Sequence, residues 1–198
     1  MEKEQKKLWE KLMKSWDSYG PACLLYHARL YIDKFPKDPA GWIILADALG
    51  SLACYKQARK ALLKAMKHST EKELEHISHQ FGHLYKKQGK YRLAESWYRK
   101  AVGIRPRTGN LVFLGACLAK QGKFEEAKQC YRQAIQVQSE IPDEAYFNLG
   151  LILRAEENYK EAWTCFNKAL ELDPNYGLAK QARKDLLHFF KLQMFSID

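Results

Sequence analysis

The stretch LGACLAKQGKFEEAKQCYRQA, residues 114–134, decides the fold because altered copies of it stand before and after it in the chain. A large apolar residue is followed by glycine at Gly82, Gly115 and Gly150, at intervals of 33 and 35 residues. Small and aromatic residues hold fixed places after each glycine: Ala94, Tyr98, Ala101 and Pro106; Ala127, Tyr131 and Ala134; Ala162, Phe166, Ala169 and Pro174. A period of this length predicts a repeat protein, in which neighbouring units share one stacked core.

Each copy is predicted to fold as two helices joined by a tight turn. Apolar residues recur at spacings of three and four, and Gln-Gly-Lys or Glu-Asn-Tyr interrupts the pattern midway. Gly89 and Gly122 suit the left-handed residue that ends a first helix. A fourth copy, with Ala46 at the glycine position, lies upstream: Trp42, Leu45, Ala46, Leu49, Ala58, Leu62 and Ala65. Since one helix pair cannot bury its apolar stripe, the pairs are expected to stack into a curved array with a groove.

These residues resemble the tetratricopeptide-repeat motif of about 34 residues, whose small positions let two helices approach closely. The resemblance covers about residues 39–176 and implies an all-α, right-handed α-solenoid of antiparallel helix pairs. Four repeat units and two caps are expected: 1–38, a degenerate N-terminal helical pair; 39–72, 75–107, 108–141 and 143–176, the units; and 177–198, a C-terminal capping helix and tail.

The composition is compatible with several classes of partner, and the sequence contains no recognisable catalytic motif. There are 33 Lys and Arg against 23 Asp and Glu, a net charge of +10, which suits acidic proteins, nucleic acid or anionic lipid. No nucleotide-binding glycine loop, HExxH, GxSxG or paired-acid signature occurs. The chain is therefore predicted not to be an enzyme and to need no cofactor.

Cysteine spacing and hydropathy indicate the compartment. The five cysteines form no CxxC pair and no zinc-ligand series, so neither a cysteine metal site nor a redox role for the cysteines is predicted. The first seven residues are charged, with no apolar run after them, and the apolar run 42–54 is short and contains Asp47. Neither a secretory signal nor a membrane span is predicted, and the cytoplasm is the expected location.

The family resemblance implies that the first helix of each pair lines the groove. In the first unit this places Ala40, Ile43, Asp47, Gly50 and Ser51 there. The residues predicted to bind a partner are His76, His79, His83, Lys86, Lys87, Val112, Phe147, Asn148, Leu151 and Arg154. Affinity is expected from Val112, Phe147 and Leu151 as apolar anchors. Attraction of an acidic or amphipathic protein segment is expected from Lys86, Lys87 and Arg154.

Two features of this set leave alternatives open. His76, His79 and His83 share one helix face, and three interpretations stay open. They bind a metal ion, they form a hydrogen-bonding or pH-sensitive wall for the partner, or they are solvated side chains with no role. Asn148 matches one position of the clamp with which some family members bind acidic tails of heat-shock chaperones. Val112 and Ala116 stand where that clamp needs a basic residue and an asparagine, so this activity is not predicted. Asn148 either hydrogen-bonds a ligand backbone or is an ordinary surface residue.

The predicted function is a protein–protein interaction module that holds a partner segment in its groove, as an adaptor, cochaperone or assembly subunit. One alternative is a regulator that inhibits an enzyme or effector, or a secretion-type chaperone. Another is an RNA-associated helical-repeat protein using the basic patch 86–107, which has eight Lys and Arg and one acidic residue, Glu95. The apolar end of the C-terminal helix, 189–195, adds self-association as a further interaction.

Overall fold

The computed structural model describes residues 3–18, 20–137 and 141–195. Within these ranges the chain forms eleven α-helices and no strand. Their bounds are α1 Lys3–Ser18, α2 Pro21–Lys34, α3 Pro39–Ser51, α4 Tyr55–His68, α5 Glu71–Lys87, α6 Tyr91–Ile104, α7 Thr108–Ala119, α8 Phe124–Gln136, α9 Asp143–Ala155, α10 Tyr159–Leu172 and α11 Gly177–Phe195. Connections of three or four residues make α3/α4, α5/α6, α7/α8 and α9/α10 antiparallel pairs. The predicted all-α fold of paired helices is confirmed.

The helices group into two compact units, Met1–Arg105 and Pro106–Asp198. The N-terminal unit contains the pairs α1/α2, α3/α4 and α5/α6, and the C-terminal unit contains α7/α8, α9/α10 and α11. The division of the chain at the predicted repeat boundaries stays a prediction. Residues 1–2, 19, 138–140 and 196–198 of those predicted segments lie outside the described residues.

Close packing within each pair depends on the repeated glycine. A Cβ atom added at Gly82 or Gly115 would lie 2.6 Å from the ring of Tyr98 or Tyr131, respectively, and one at Gly150 would lie 2.7 Å from Phe166. These rings come 16 positions after their glycines and are buried. The ring therefore occupies the volume that a side chain on the first helix would need.

The turn inside each pair contains one residue with a left-handed backbone. The φ angles of Gly89 and Gly122 are 70° and 77°, which confirms the predicted stop of the first helix. Ala53 and Glu157 make the same turn with φ of 57° and 61°, although their Cβ atoms disfavour this region.

Hydrogen bonds attach the N-terminal helix pair to α3. The Tyr31 hydroxyl donates to Asp38 Oδ2 over 2.5 Å, and Gln5 Nε2 of α1 donates to both partners, at 3.1 Å to Tyr31 and 3.2 Å to Asp38. Asp38 Oδ1 also accepts the Ala40 backbone N–H at 2.9 Å and so caps α3. Burial, followed by the Asp38 hydrogen bond, raises the pKa of Tyr31 to about 12. The phenol remains a donor at neutral pH, which keeps this connection intact.

Helix α11 closes the C-terminal unit by packing on α10. The ring centroids of Phe189 and Tyr159 lie 4.5 Å apart, and those of Phe190 and Trp163 lie 6.1 Å apart. Leu187, on the other side of the helix, is 42% exposed. Self-association through this helix stays a prediction, and the side chains of residues 193–195 lie outside the description. Among the helices described, none combines the length and apolarity that crossing a membrane requires.

Replacing Gly115 with Ala is expected to lower the free energy of unfolding by about 1–3 kcal/mol, because the new methyl group collides with the Tyr131 ring. Gly103→Ala in α6 is the matched control, since no atom lies within 4 Å of its added Cβ. Higher helix propensity should make that control neutral or stabilising, by up to about 1 kcal/mol. Urea unfolding followed by circular dichroism measures both, and equal effects of the two substitutions would refute the packing argument.

Candidate functional site

An open apolar pocket of about 420 Å³ lies on the N-terminal unit. Helices α1, α3 and α5 supply its lining: Trp9, Met13 and Trp16; Ala40, Ile43 and Ile44; and His76. A pocket of several hundred cubic ångströms with an apolar lining and a polar group at its edge is typical of a ligand site. Ala40, Ile43 and His76 are positions that the sequence assigned to the groove. The contribution of α1 was not predicted.

The sequence of α1 explains its position beside the pocket. Trp9, Met13 and Trp16 are spaced four and three apart and therefore share one helix face. The Trp9 ring packs edge-on against Tyr31, with centroids 5.5 Å apart, while Leu12 is completely buried. Trp16, at 41% exposure, leaves much of its indole in contact with solvent. The aromatic stripe thus holds α1 in place at one end and lines the pocket at the other.

Further along α3 and α5 the surface becomes polar. A narrow cleft there is lined by Ala46, Asp47, Gly50, Leu62, Gln80, His83, Leu84 and Lys87. Lys87 Nζ donates to Ser51 Oγ over 3.3 Å, which joins the C-terminal ends of the two helices. The predicted residues of α5 therefore run from His76 at the apolar pocket to Lys86 and Lys87 at the basic end.

Three histidine rings form a row on α5. The centroids of His76 and His79 lie 6.4 Å apart and those of His79 and His83 lie 4.6 Å apart. The ring of Tyr98 meets both His79 and His83 edge-on. In the ranges that the structure describes, no group of three or more His, Cys, Asp and Glu is placed to hold a metal ion.

Burial keeps His83 neutral. Desolvation lowers the pKa of His83 to about 3, and positive charge on His79, Lys86, Lys87 and His76 adds to the shift. At neutral pH the imidazole therefore offers one hydrogen-bond donor and one acceptor to a ligand, and no charge. Whether this row contacts a partner stays a prediction.

The structure gives a direct expectation for acid sensitivity. Unfolded His83 takes up a proton as the pH falls below about 6.5, whereas folded His83 resists protonation until about pH 3. Its contribution to stability is therefore complete above pH 6.5 and is lost as the pH falls toward 3. We expect His83→Gln to reduce the drop in unfolding free energy between about pH 7 and about pH 5.

The control for this measurement is His68→Gln, which changes an exposed imidazole at the end of α4. Denaturant unfolding at a series of pH values compares the variants with the unmodified chain. If His83→Gln keeps the full pH dependence, the assignment of His83 as a neutral imidazole in the folded chain fails.

The predicted site residues of the C-terminal unit separate into two groups. Val112 is 1% exposed and Phe147 is 8% exposed, and the Phe147 ring packs on Phe166 and Tyr176 at centroid distances of 6.0 and 5.0 Å. Both side chains therefore belong to the interior of the unit, and their role as apolar anchors stays a prediction.

Three other predicted residues, Asn148, Leu151 and Arg154, follow one another at intervals of three along α9 and are each half-buried. This spacing places them on one side of the helix. Their role in binding a partner stays a prediction.

The net positive charge lies in the N-terminal unit. Residues 1–105 contain 21 Lys and Arg and 11 Asp and Glu, whereas residues 106–198 contain 12 of each class. The predicted patch 86–107 explains only part of this excess. Within it, Arg99 forms an ion pair of 2.9 Å with Glu95, Lys100 Nζ lies 5.2 Å from the centroid of the Trp97 ring, and Arg107 belongs to the other unit.

Sequence reasoning overlooked a second basic element, helix α4. Its 14 residues, YKQARKALLKAMKH, contain four lysines, one arginine and no acidic residue. A count of acidic residues in each predicted helix would have found it. The excess of positive charge in the N-terminal unit is concentrated on this helix and on the neighbouring repeat.

Models of the tetratricopeptide repeat match residues 76–108 and residues 109–175, together 100 of the 198 positions. Comparison with curated protein sequences finds no match. Solved structures match the fold. YrrB, described as a TPR protein with an unusual peptide-binding site, shares 21% identity over 88% of each chain, with a TM-score of 0.64.

Two further structures show the same architecture. PilF of Pseudomonas aeruginosa shares 24% identity over 77% of this chain and 69% of its own, with a TM-score of 0.71. The first TPR domain of Spaghetti (RPAP3), bound to the HSP90 peptide SRMEEVD, shares 22% identity over 60% of this chain and 94% of its own, with a TM-score of 0.56. At these identities the similarity establishes the fold alone.

Proposed function

This chain belongs to the tetratricopeptide-repeat family, and on that premise we propose that it binds a segment of a partner protein on the surface formed by α1, α3 and α5. Folds of this family serve in general as protein-interaction modules, and two of the structures that resemble it are named for a peptide site or a bound peptide. The observation that carries the proposal is the open apolar pocket of about 420 Å³.

The shape and chemistry of this surface define the segment it would hold. The pocket suits one large apolar side chain, because six of its seven lining residues are apolar. From His76 to Lys87 the helix rises about 16 Å, which an extended segment of about five residues spans. Acidic residues of the segment would lie toward Lys86 and Lys87. An apolar anchor followed by acidic residues is therefore the proposed ligand.

This proposal moves the apolar anchor site from the C-terminal unit to the N-terminal unit. Val112 and Phe147 are buried, whereas Trp16 and its neighbours line an open cavity. An adaptor, a cochaperone, an assembly subunit and an inhibitor of another protein would all use such a surface. The proposed function is binding and includes no catalytic step. The five cysteines are free thiols, which suits the reducing cytoplasm as the site of action.

Selection from a random peptide library on the full chain tests the proposal. We expect enriched peptides to contain one Trp, Phe or Leu together with Asp or Glu. Trp16→Glu should weaken their binding at least about tenfold, because it removes an apolar wall and repels the acidic residues.

Leu187→Glu is the matched control, since Leu187 and Trp16 are exposed to the same extent and the charge change is identical. Its affinity should equal that of the unmodified chain. If no peptide is enriched, or if the enriched peptides bind Trp16→Glu as tightly as the unmodified chain, the pocket is not a peptide site.

A further inference from the structure

The outward face of α4 is predominantly basic. Its exposed cations are Lys56, Arg59, Lys60, Lys64 and Lys67. At 100° per residue they fall within one stripe of the helix, opposite the buried Ala58, Leu62 and Ala65. From Lys56 to Lys67 the stripe extends about 16 Å, or three turns.

These cations lack acidic partners in the part of the chain that the structure describes. Lys56, Arg59, Lys60 and Lys67 form no ion pair there, and Lys64 Nζ lies over the Trp42 ring, 4.4 Å from its centroid. Lysines three and four apart on a helix repel one another and destabilise it. Helix α4 therefore keeps an arrangement that opposes its own stability.

The two repeats of the C-terminal unit show that folding does not require this arrangement. Helices α8 and α10 are also the second helices of their pairs, and each contains two basic and two acidic residues. On the surface of α10, Lys168 pairs with Glu171 at 2.6 Å, and in α8 the exposed Glu125 pairs at 2.7 Å with Lys128, which is itself buried. The outward face of a second helix is thus free to be neutral, and the charge on α4 needs another explanation.

We propose that the outward face of α4 binds the phosphodiester backbone of a nucleic acid. Five cations along three helical turns, with about 5–6 Å between the Cβ atoms of residues three or four apart, form a linear array that suits a linear polyanion. Contacts of this kind are electrostatic and do not depend on base sequence. Such binding goes beyond the proposed peptide site, because the five cations lie on the opposite side of α4 from Leu62, which lines the polar cleft, and the apolar pocket has no lining residue from α4.

The composition of the stripe favours this ligand over the two other anionic surfaces. Protein interfaces are depleted in lysine and enriched in aromatic residues, whereas the stripe has four lysines and no exposed aromatic side chain. A helix that lies on a membrane presents an apolar face with Trp, Phe or Leu, and this stripe exposes only Leu63, at 44%. Lysine as a point charge is a common phosphate ligand.

The test measures binding of the full chain to two labelled probes, a polyuridine strand and a duplex DNA of about 20 nucleotides, by fluorescence anisotropy over a range of salt concentrations. The α4 variant combines Lys56→Gln, Arg59→Gln, Lys60→Gln and Lys67→Gln. We expect it to bind at least about tenfold more weakly and to lower the slope of log affinity against log salt by about 3. The two probes distinguish a preference for RNA from one for DNA.

A charge-matched control combines Lys160→Gln, Lys180→Gln, Lys184→Gln and Lys191→Gln, four exposed residues of the C-terminal unit. Both variants have a net charge of +6 in place of +10, so a difference between them reports the position of the charge. The α4 variant should also unfold at an equal or higher denaturant concentration than the unmodified chain, because repulsion is removed. This result would exclude misfolding as the cause of weaker binding.

Three outcomes would overturn the proposal. The first is that the chain binds neither probe. The second is that the α4 variant and the charge-matched control lose the same amount of affinity for the probes. The third is that phosphatidylserine vesicles or polyglutamate bind as tightly as nucleic acid and with the same dependence on α4. Peptide selection on the pocket and the Trp16→Glu variant do not involve α4, so each proposal can fail while the other stands.

Discussion

The fold depends on one steric constraint, the close approach of two helices at a glycine that faces a buried aromatic ring. Tyr98, Tyr131 and Phe166 each fill the volume that a side chain on the first helix would take. The constraint fixes the distance between the helices and leaves their outer faces free. In the upstream copy Ala46 replaces the glycine and Leu62 stands at the position of the ring. Alanine, which is larger than glycine, is thus combined with leucine, which is smaller than the aromatic ring of the other repeats.

Packing determines only the residues on the inner faces of the helices. The exposed surface of the first helices and the exposed surface of α4 can therefore differ in polarity and charge. The first helices carry an apolar pocket that grades into histidine and lysine, while α4 carries cations alone. In the C-terminal unit, by contrast, ion pairs such as that between Lys168 and Glu171 balance the charge on the second helices. The same backbone therefore presents a neutral surface in one unit and a basic surface in the other.

The sequence predicted the helix pairs well because small residues at fixed spacing have a single steric explanation. The left-handed turns at Gly89 and Gly122 were predicted for a similar reason. Site residues were predicted less completely, because a motif position indicates which helix face a residue occupies and not how deeply it is buried. Val112 and Phe147 hold groove positions, yet neighbouring side chains cover them.

The pocket itself could not be predicted, because it depends on α1, whose sequence does not follow the repeat pattern. Only the folded chain brings Trp9, Met13 and Trp16 beside Ile43 and places them within reach of α5. The charge on α4 was visible in the sequence. The repeat pattern does not indicate it, because the repeat positions specify inward-facing residues and not those that face solvent.

The attachment of α1 has a consequence for how occupancy of the pocket could be sensed. Helix α1 is held by the Trp9–Tyr31 contact and by the hydrogen bonds of Gln5 to Tyr31 and Asp38. Single helices of a domain open locally at free energies below that of global unfolding. A ligand that needs α1 as a wall binds only the closed state and suppresses its opening by mass action. The opening of α1 thereby becomes thermodynamically linked to the binding surface, and slower amide exchange in α1 would report that a partner is bound.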